Sequence, residues 1–87
     1  MERGVGYEKK FTEGEKDYLA SVCQAHYNKN DSYNTIVDRI VRQIQNDGNG
    51  AYNAVLIEKG KGSTAVFTNK SIRFYYEDIM FYLYKSL

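Results

Sequence analysis

The feature that most constrains the fold is a change of hydrophobic period in the middle of the chain. Before residues 46–50, apolar residues recur every three or four positions, as they do along one face of an α-helix. After those residues the period is two, which is the spacing of a β-strand. The turn between the two patterns contains Gly48 and Gly50, which suit left-handed backbone. The chain is therefore predicted to form helices first and strands afterwards.

Two helices are predicted before this turn. Thr12 and Glu15 have the spacing of a capping box at the start of the first helix, which should end within residues 28–31. Its apolar face comprises Tyr18, Leu19, Val22, Cys23, His26 and Tyr27. The second helix can be capped by Ser32 or Asn34, and its apolar stripe comprises Tyr33, Ile36, Val37, Ile40, Val41 and Ile44.

The strands are predicted on both sides of the helices. Alternation over residues 5–11 indicates an edge strand, and residues 52–59 form a strand with Val55 and Ile57 on one face and Ala54 and Leu56 on the other. A turn at 60–62, a strand at 63–68 and a tight turn at 69–70 follow. Residues 71–84 are apolar on all sides, so a buried helix is an alternative. Aromatic and branched residues favour two strands joined at Glu77 and Asp78.

The 87 residues are expected to form one α+β domain, in which two helices pack on an antiparallel sheet. Residues 1–11 are the edge strand or arm, residues 12–47 hold the helices, and residues 51–86 form a meander. The lone Cys23 cannot form an intramolecular disulfide, and residues 1–10 lack the apolar core of a signal peptide. The apolar run 79–84 is too short to cross a bilayer. These features predict a reducing, cytosolic location without membrane binding.

Catalysis is not expected. The single His26 lies on the apolar side of a helix, where a packed or hydrogen-bonded histidine is more usual than a general base. With one cysteine it cannot complete a zinc site, so neither a metal nor another cofactor is predicted. The formal net charge of +1 argues against nucleic-acid binding, although residues 61–67 faintly resemble an RNA-recognition strand. A small RNA-binding domain is therefore kept as an alternative.

The chain from residue 34 to residue 86 resembles the dynein light chain family of small dimeric hub proteins. The order of an edge strand, two helices and four strand segments is similar, and so is Gly62-Ser63 opening a strand that ends at Phe67. A third similarity is Phe74-Tyr75 followed by a hydrophobic strand that closes with Lys85-Ser86. Nine tyrosines and a marginal core also suit a protein that associates.

The resemblance implies that each subunit gives residues 63–67 to the sheet of a second copy. The free edge of that exchanged strand, next to the second helix, then accepts an extended peptide. The implied peptide-binding residues are Gly62, Ser63, Thr64, Ala65, Val66, Phe67 and Tyr75. The implied dimer interface contains Ala54, Lys61, Ser63 and Ala65.

Several positions depart from the family pattern. Lys61 and Thr64 stand where the family usually has aromatic residues, and Asn34-Thr35 stands where it has an acid–lysine pair that holds a partner glutamine. Ala54 replaces an interface histidine and cannot titrate. These departures predict a different partner motif, no acid-triggered dissociation, or a dimer with a paralogous light chain.

The function implied by the resemblance is that of a non-catalytic dynein light chain. Such a subunit binds dynein intermediate chains or other short linear motifs, in the cytoplasm at the cytoskeleton or in the ciliary axoneme. A dimerisation hub that works independently of the motor is the alternative reading of the same resemblance.

Overall fold

A four-stranded antiparallel sheet forms the centre of the fold in the computed structural model, which describes residues 2–3, 11–58 and 70–85. The strands are β1 (Glu2–Arg3), β2 (Tyr52–Glu58), β3 (Ser71–Tyr76) and β4 (Ile79–Lys85), and the helices are α1 (Glu13–His26) and α2 (Tyr33–Asn46). The sheet order is β1-β3-β4-β2, and every neighbouring pair is antiparallel. The predicted class, α+β with two helices on an antiparallel sheet, is confirmed.

Helix α1 begins with the predicted capping box. The backbone N–H of Glu15 donates to Thr12 Oγ1 at 3.1 Å, and the N–H of Thr12 donates to Glu15 Oε1 at 3.1 Å. These bonds satisfy two backbone donors that the first turn of a helix leaves open. Three residues of the predicted apolar face are buried in the core, namely Leu19, Val22 and Cys23.

Helix α2 packs through three isoleucines. Ile36, Ile40 and Ile44 have no exposed surface, and they repeat at the four-residue spacing that keeps side chains on one face. Ser32 is the cap, because its hydroxyl accepts from the N–H of Thr35 at 3.2 Å. The predicted stripe is wrong at Tyr33, which is 38% exposed: as the first residue of the helix it lies beyond the core, and its hydroxyl tolerates water.

Strand β4 is the most deeply buried strand. Its first five residues are all buried, from Ile79 at 5% exposed to Leu83 at 0%. It lies between β3 and β2, so the described strands do not form the predicted meander. A strand that is apolar on both faces is most stable in the middle of a sheet, where a pairing neighbour covers each edge. The helical alternative for this stretch is also overturned.

The two faces of the sheet differ in what covers them. Alternate residues such as Leu56, Phe74 and Phe81 join the core cluster under the helices. The opposite side chains lie on a surface that we call the helix-free face, because no described helix packs on it. It is formed by Val55, Ile57, Met80 and Tyr82, which pair in register across β2 and β4, with Arg73 and Tyr75 on β3. The predicted separation of Val55 and Ile57 from Ala54 and Leu56 is confirmed.

The N-terminal edge strand lies within the predicted arm of residues 1–11. β1 pairs with the outer edge of β3, whereas residues 4–10 lie outside the described residues. Phe11, predicted to end the strand, lies outside any described strand and is buried in the core, and Lys70 Nζ lies 4.8 Å from the centre of its ring. Lys70 Nζ also lies 3.0 Å from Glu15 Oε2, which joins the start of β3 to the start of α1. The predicted turn at 60–62 and strand at 63–68 lie outside the described residues.

The turn between β3 and β4 contains backbone strain. Tyr76 pairs with Ile79, so the hairpin loop has two residues, Glu77 and Asp78. Glu77 has φ 54°, the only positive φ among the non-glycine residues described. This left-handed region favours glycine because a Cβ crowds the backbone there.

We predict that Glu77→Gly raises the free energy of unfolding by roughly 0.5–1 kcal/mol, since relieving about 1–2 kcal/mol of left-handed strain exceeds the added entropy of the unfolded chain. The measurement is the urea midpoint, compared with that of Asp78→Gly. The control lacks positive φ and should only lose stability. Equal destabilisation by both substitutions would contradict the strain.

Candidate functional site

A groove runs between α2 and β2 along one edge of the described sheet. Two cavities form it, with volumes of about 380 Å³ and about 190 Å³. They share Asn34 and Val37 from the helix and Ala54 from the strand, so they are continuous. We call this surface the α2–β2 groove.

The walls of the groove are apolar where helix and strand face each other. Val37 and Val41 lie one turn apart on α2 and are half-buried, because the isoleucines beside them are the residues that point into the core. Ala54 faces them from β2. A methyl group at this position leaves space that a larger side chain would fill.

The rim of the groove is polar but carries little net charge. Asn34 and Asn53 line it from opposite sides, and the one acid, Asp38, is compensated by Arg42 at 2.9 Å. An amide rim beside an apolar wall suits main-chain hydrogen bonding to an extended segment more than recognition of a charged group.

Tyrosines lie at both ends of the groove. Tyr33 lines one end, and Tyr52 and Tyr84 line the other. Tyr52 is 8% exposed, and its burial, with a smaller contribution from the negative charge of Glu15, raises the pKa of its hydroxyl to about 12. Lys85 Nζ lies 5.3 Å from the centre of the Tyr52 ring and covers this end.

The structure describes two of the residues predicted for binding or dimerisation. Ala54 lines the α2–β2 groove. Tyr75 lies on β3, two strands away from β2, with its side chain on the helix-free face. The remaining predicted residues lie outside the described residues, namely Lys61, Gly62, Ser63, Thr64, Ala65, Val66 and Phe67.

Apart from Ala54, the residues that line the groove were not predicted from the sequence as binding or interface residues, and Val37, Val41 and Tyr84 are among those missed. Val37 and Val41 follow Ile36 and Ile40 directly, so the apolar stripe is wider than one row, and this extra width was the available signal. Tyr84 comes into the groove through its pairing with Asn53, which no local pattern specifies.

Groups capable of catalysis are engaged in packing. His26 Nε2 is hydrogen-bonded to Gln43 Oε1, which joins α1 to α2. Cys23 is fully buried, and the apolar surroundings raise the pKa of its thiol well above the usual range. The described part of the chain contains no cluster of metal-ligating side chains, and none of its helices has the length and apolarity to span a bilayer.

No protein-family model matches the chain, and no curated protein matches it either.

The raised pKa of Tyr52 predicts a loss of stability in alkali. The unfolded chain loses the hydroxyl proton near pH 10, whereas the folded chain keeps it up to about pH 12, so stability falls as the pH rises through this interval. Tyr52→Phe keeps the ring without the ionisable group. We predict that its urea midpoint falls less between pH 9 and pH 12 than that of the wild type; equal losses would contradict the assignment.

Proposed function

We propose that the protein is a non-catalytic, dynein-light-chain-like subunit that dimerises and binds extended segments of partner proteins by strand addition. The α2–β2 groove is the observation that carries this proposal. It combines an apolar wall, an uncharged amide rim and the edge strand of the described sheet. An extended peptide needs all three, because its main chain pairs with a strand while alternate side chains enter a groove.

The second copy is proposed to cover the helix-free face. Val55, Ile57 and Met80 form a continuous apolar row across β2 and β4, with Tyr82 beside them. No described helix packs on this face, and its two half-buried apolar side chains, Val55 and Ile57, leave surface that a second copy can bury. If the helix-free faces of two copies pack together, the resulting dimer contains two α2–β2 grooves, one from each copy.

The path of the chain supports the exchange of residues 63–67. β2 and β3 are both antiparallel to β4, so they run parallel to each other. The chain leaves β2 opposite Ile79 and enters β3 opposite Tyr84, at the other end of β4. Eleven residues, 59–69, can extend roughly 36 Å, which exceeds the roughly 20 Å length of these strands, so the connection is longer than a direct return requires.

A dimer of this kind would hold two partner segments side by side. The partners we propose are dynein intermediate chains, in the cytoplasm at the cytoskeleton or in the axoneme, with a motor-independent hub as the alternative. The benefit is avidity, since the second segment of a paired partner binds at a high effective concentration.

Binding in the groove is tested with Val41→Lys. A charge on the apolar wall should weaken binding about tenfold or more, because an unpaired ammonium group loses solvation there. The measurement is fluorescence anisotropy with synthetic peptides that tile a dynein intermediate chain. Gln45→Lys adds the same charge to the exposed surface of the same helix and should bind as the wild type does.

The outcomes separate the alternatives. Binding that Val41→Lys weakens and Gln45→Lys preserves supports the motor subunit. Groove-dependent binding of other linear motifs, with none to dynein segments, favours the hub. Binding that both variants retain would place the interaction elsewhere and contradict the groove.

Dimerisation is tested with Ile57→Lys. We predict that the wild type sediments as a dimer at concentrations on the order of tens of micromolar, and that Ile57→Lys sediments as a folded monomer because the charge would be buried between two sheets. Gln45→Lys should remain a dimer. A monomeric wild type, or a dimer unaffected by Ile57→Lys, would contradict this interface.

RNA binding is the second candidate, and one observation favours it. Arg73 and Tyr84 are both half-buried and lie 4.7 Å and 5.5 Å from the buried Tyr82 ring, so this face of the sheet offers one cationic and one aromatic group. Such surfaces can stack bases. Salt-sensitive binding of single-stranded RNA that is lost in Arg73→Gln would support this function, and no binding at low salt would remove it.

A further inference from the structure

A third cavity lies apart from the α2–β2 groove. Its volume is about 650 Å³, and it opens between the end of α1 and the turn that joins β3 to β4. It shares no lining residue with the α2–β2 groove. The proposed peptide binding therefore does not use it.

Two tyrosine rings form one wall of this cavity. Tyr27 and Tyr76 have ring centroids 5.6 Å apart at an angle of 75°, so the rings meet as a corner. Both are half-buried. The Tyr27 ring also packs against the ring of the buried Phe81, with a centroid distance of 5.8 Å and an interplanar angle of 86°. We call Tyr27 and Tyr76 the aromatic corner. The negative face of an aromatic ring attracts cations.

Negative charge surrounds the corner. Glu77 lines the cavity next to Tyr76. Burial raises the pKa of the Tyr27 hydroxyl, and the negative charges of Glu77 and Asp78 raise it further. The C-terminal end of α1, whose last residue is His26, adds the partial negative charge of its carbonyl groups.

The cations of the cavity do not cancel this charge. Arg39 lines the cavity, but its guanidinium lies 2.8 Å from Asp31 Oδ2, so this pair is neutral. Lys29 is the other basic residue of the lining, and it is exposed on the loop after α1. Lys29 and Glu77 therefore balance within the lining, and the excess negative charge comes from Asp78, next to Glu77 in the turn, and from the C-terminal end of α1.

The strained turn presents the acid to the cavity. Glu77 adopts φ 54°, a conformation that glycine would adopt more readily. Strain of this kind tends to persist at binding sites, where the surrounding structure holds a side chain in place. A carboxylate beside two perpendicular rings is the arrangement that recognises an organic cation.

We propose that the aromatic corner and Glu77 bind a basic side chain of a partner protein, namely that of a lysine, a methylated lysine or an arginine.

The test uses the full chain and small probes in ¹H–¹⁵N NMR titrations. The probes are N-acetyl-lysine methylamide, its trimethylated derivative, and the uncharged N-acetyl-norleucine methylamide. The cationic probes should shift the amide signals of Tyr27, Tyr76 and Glu77, and the norleucine probe should not.

Three variants distinguish a cation-binding site from an anion-binding site. Glu77→Gln should weaken lysine-probe binding about three- to fivefold, and Tyr27→Phe, which keeps the ring, should change it less than about twofold. Lys29→Gln, on an exposed loop, should strengthen binding because it removes a like charge. Equal binding of the norleucine probe would overturn the proposal. So would inorganic phosphate shifting the same amides, with Lys29→Gln abolishing that effect.

Discussion

The burial of β4 on both faces is the constraint on which the rest of the structure depends. Ile79, Phe81 and Leu83 enter the core under the helices, while Met80 and Tyr82 are buried on the other side. A strand with this composition is stable only with a strand at each edge and a cover on each face. β3 and β2 supply the edges, α1 and α2 cover one face, and on the second face we propose that another copy packs on the half-buried Val55 and Ile57 beside these residues.

The helix layer also determines where a partner segment can bind. Three isoleucines direct α2 onto the sheet, which leaves Val37 and Val41 half-buried beside Ala54. The groove is thus a by-product of how α2 packs at the edge of β2. Its neutral amide rim distinguishes it from the cavity at the aromatic corner, where Glu77 and the end of α1 concentrate negative charge. One small domain therefore offers two surfaces of different chemistry.

Local sequence patterns were sufficient for the two helices and for strands β2, β3 and β4, but not for the order of the strands in the sheet. The capping box of Thr12 and Glu15, the Ser32 cap and the isoleucine stripe are local signals, and each is confirmed. The position of β4 between β3 and β2 depends on pairing between residues distant in the chain, so a meander was predicted instead. The groove was partly missed for the same reason: Tyr84 reaches it only through pairing with Asn53. The exchanged strand remains a prediction.

The central claim is that two copies meet through the helix-free face. It is tested most directly by an isotope-filtered NOE experiment on a mixture of ¹³C-labelled and unlabelled chains, with the methyl groups of Ile57 and Met80 as reporters. We expect cross-peaks between the labelled methyl groups of one copy and the protons of the other. Their absence, together with the rotational correlation time of a monomer, would contradict the account.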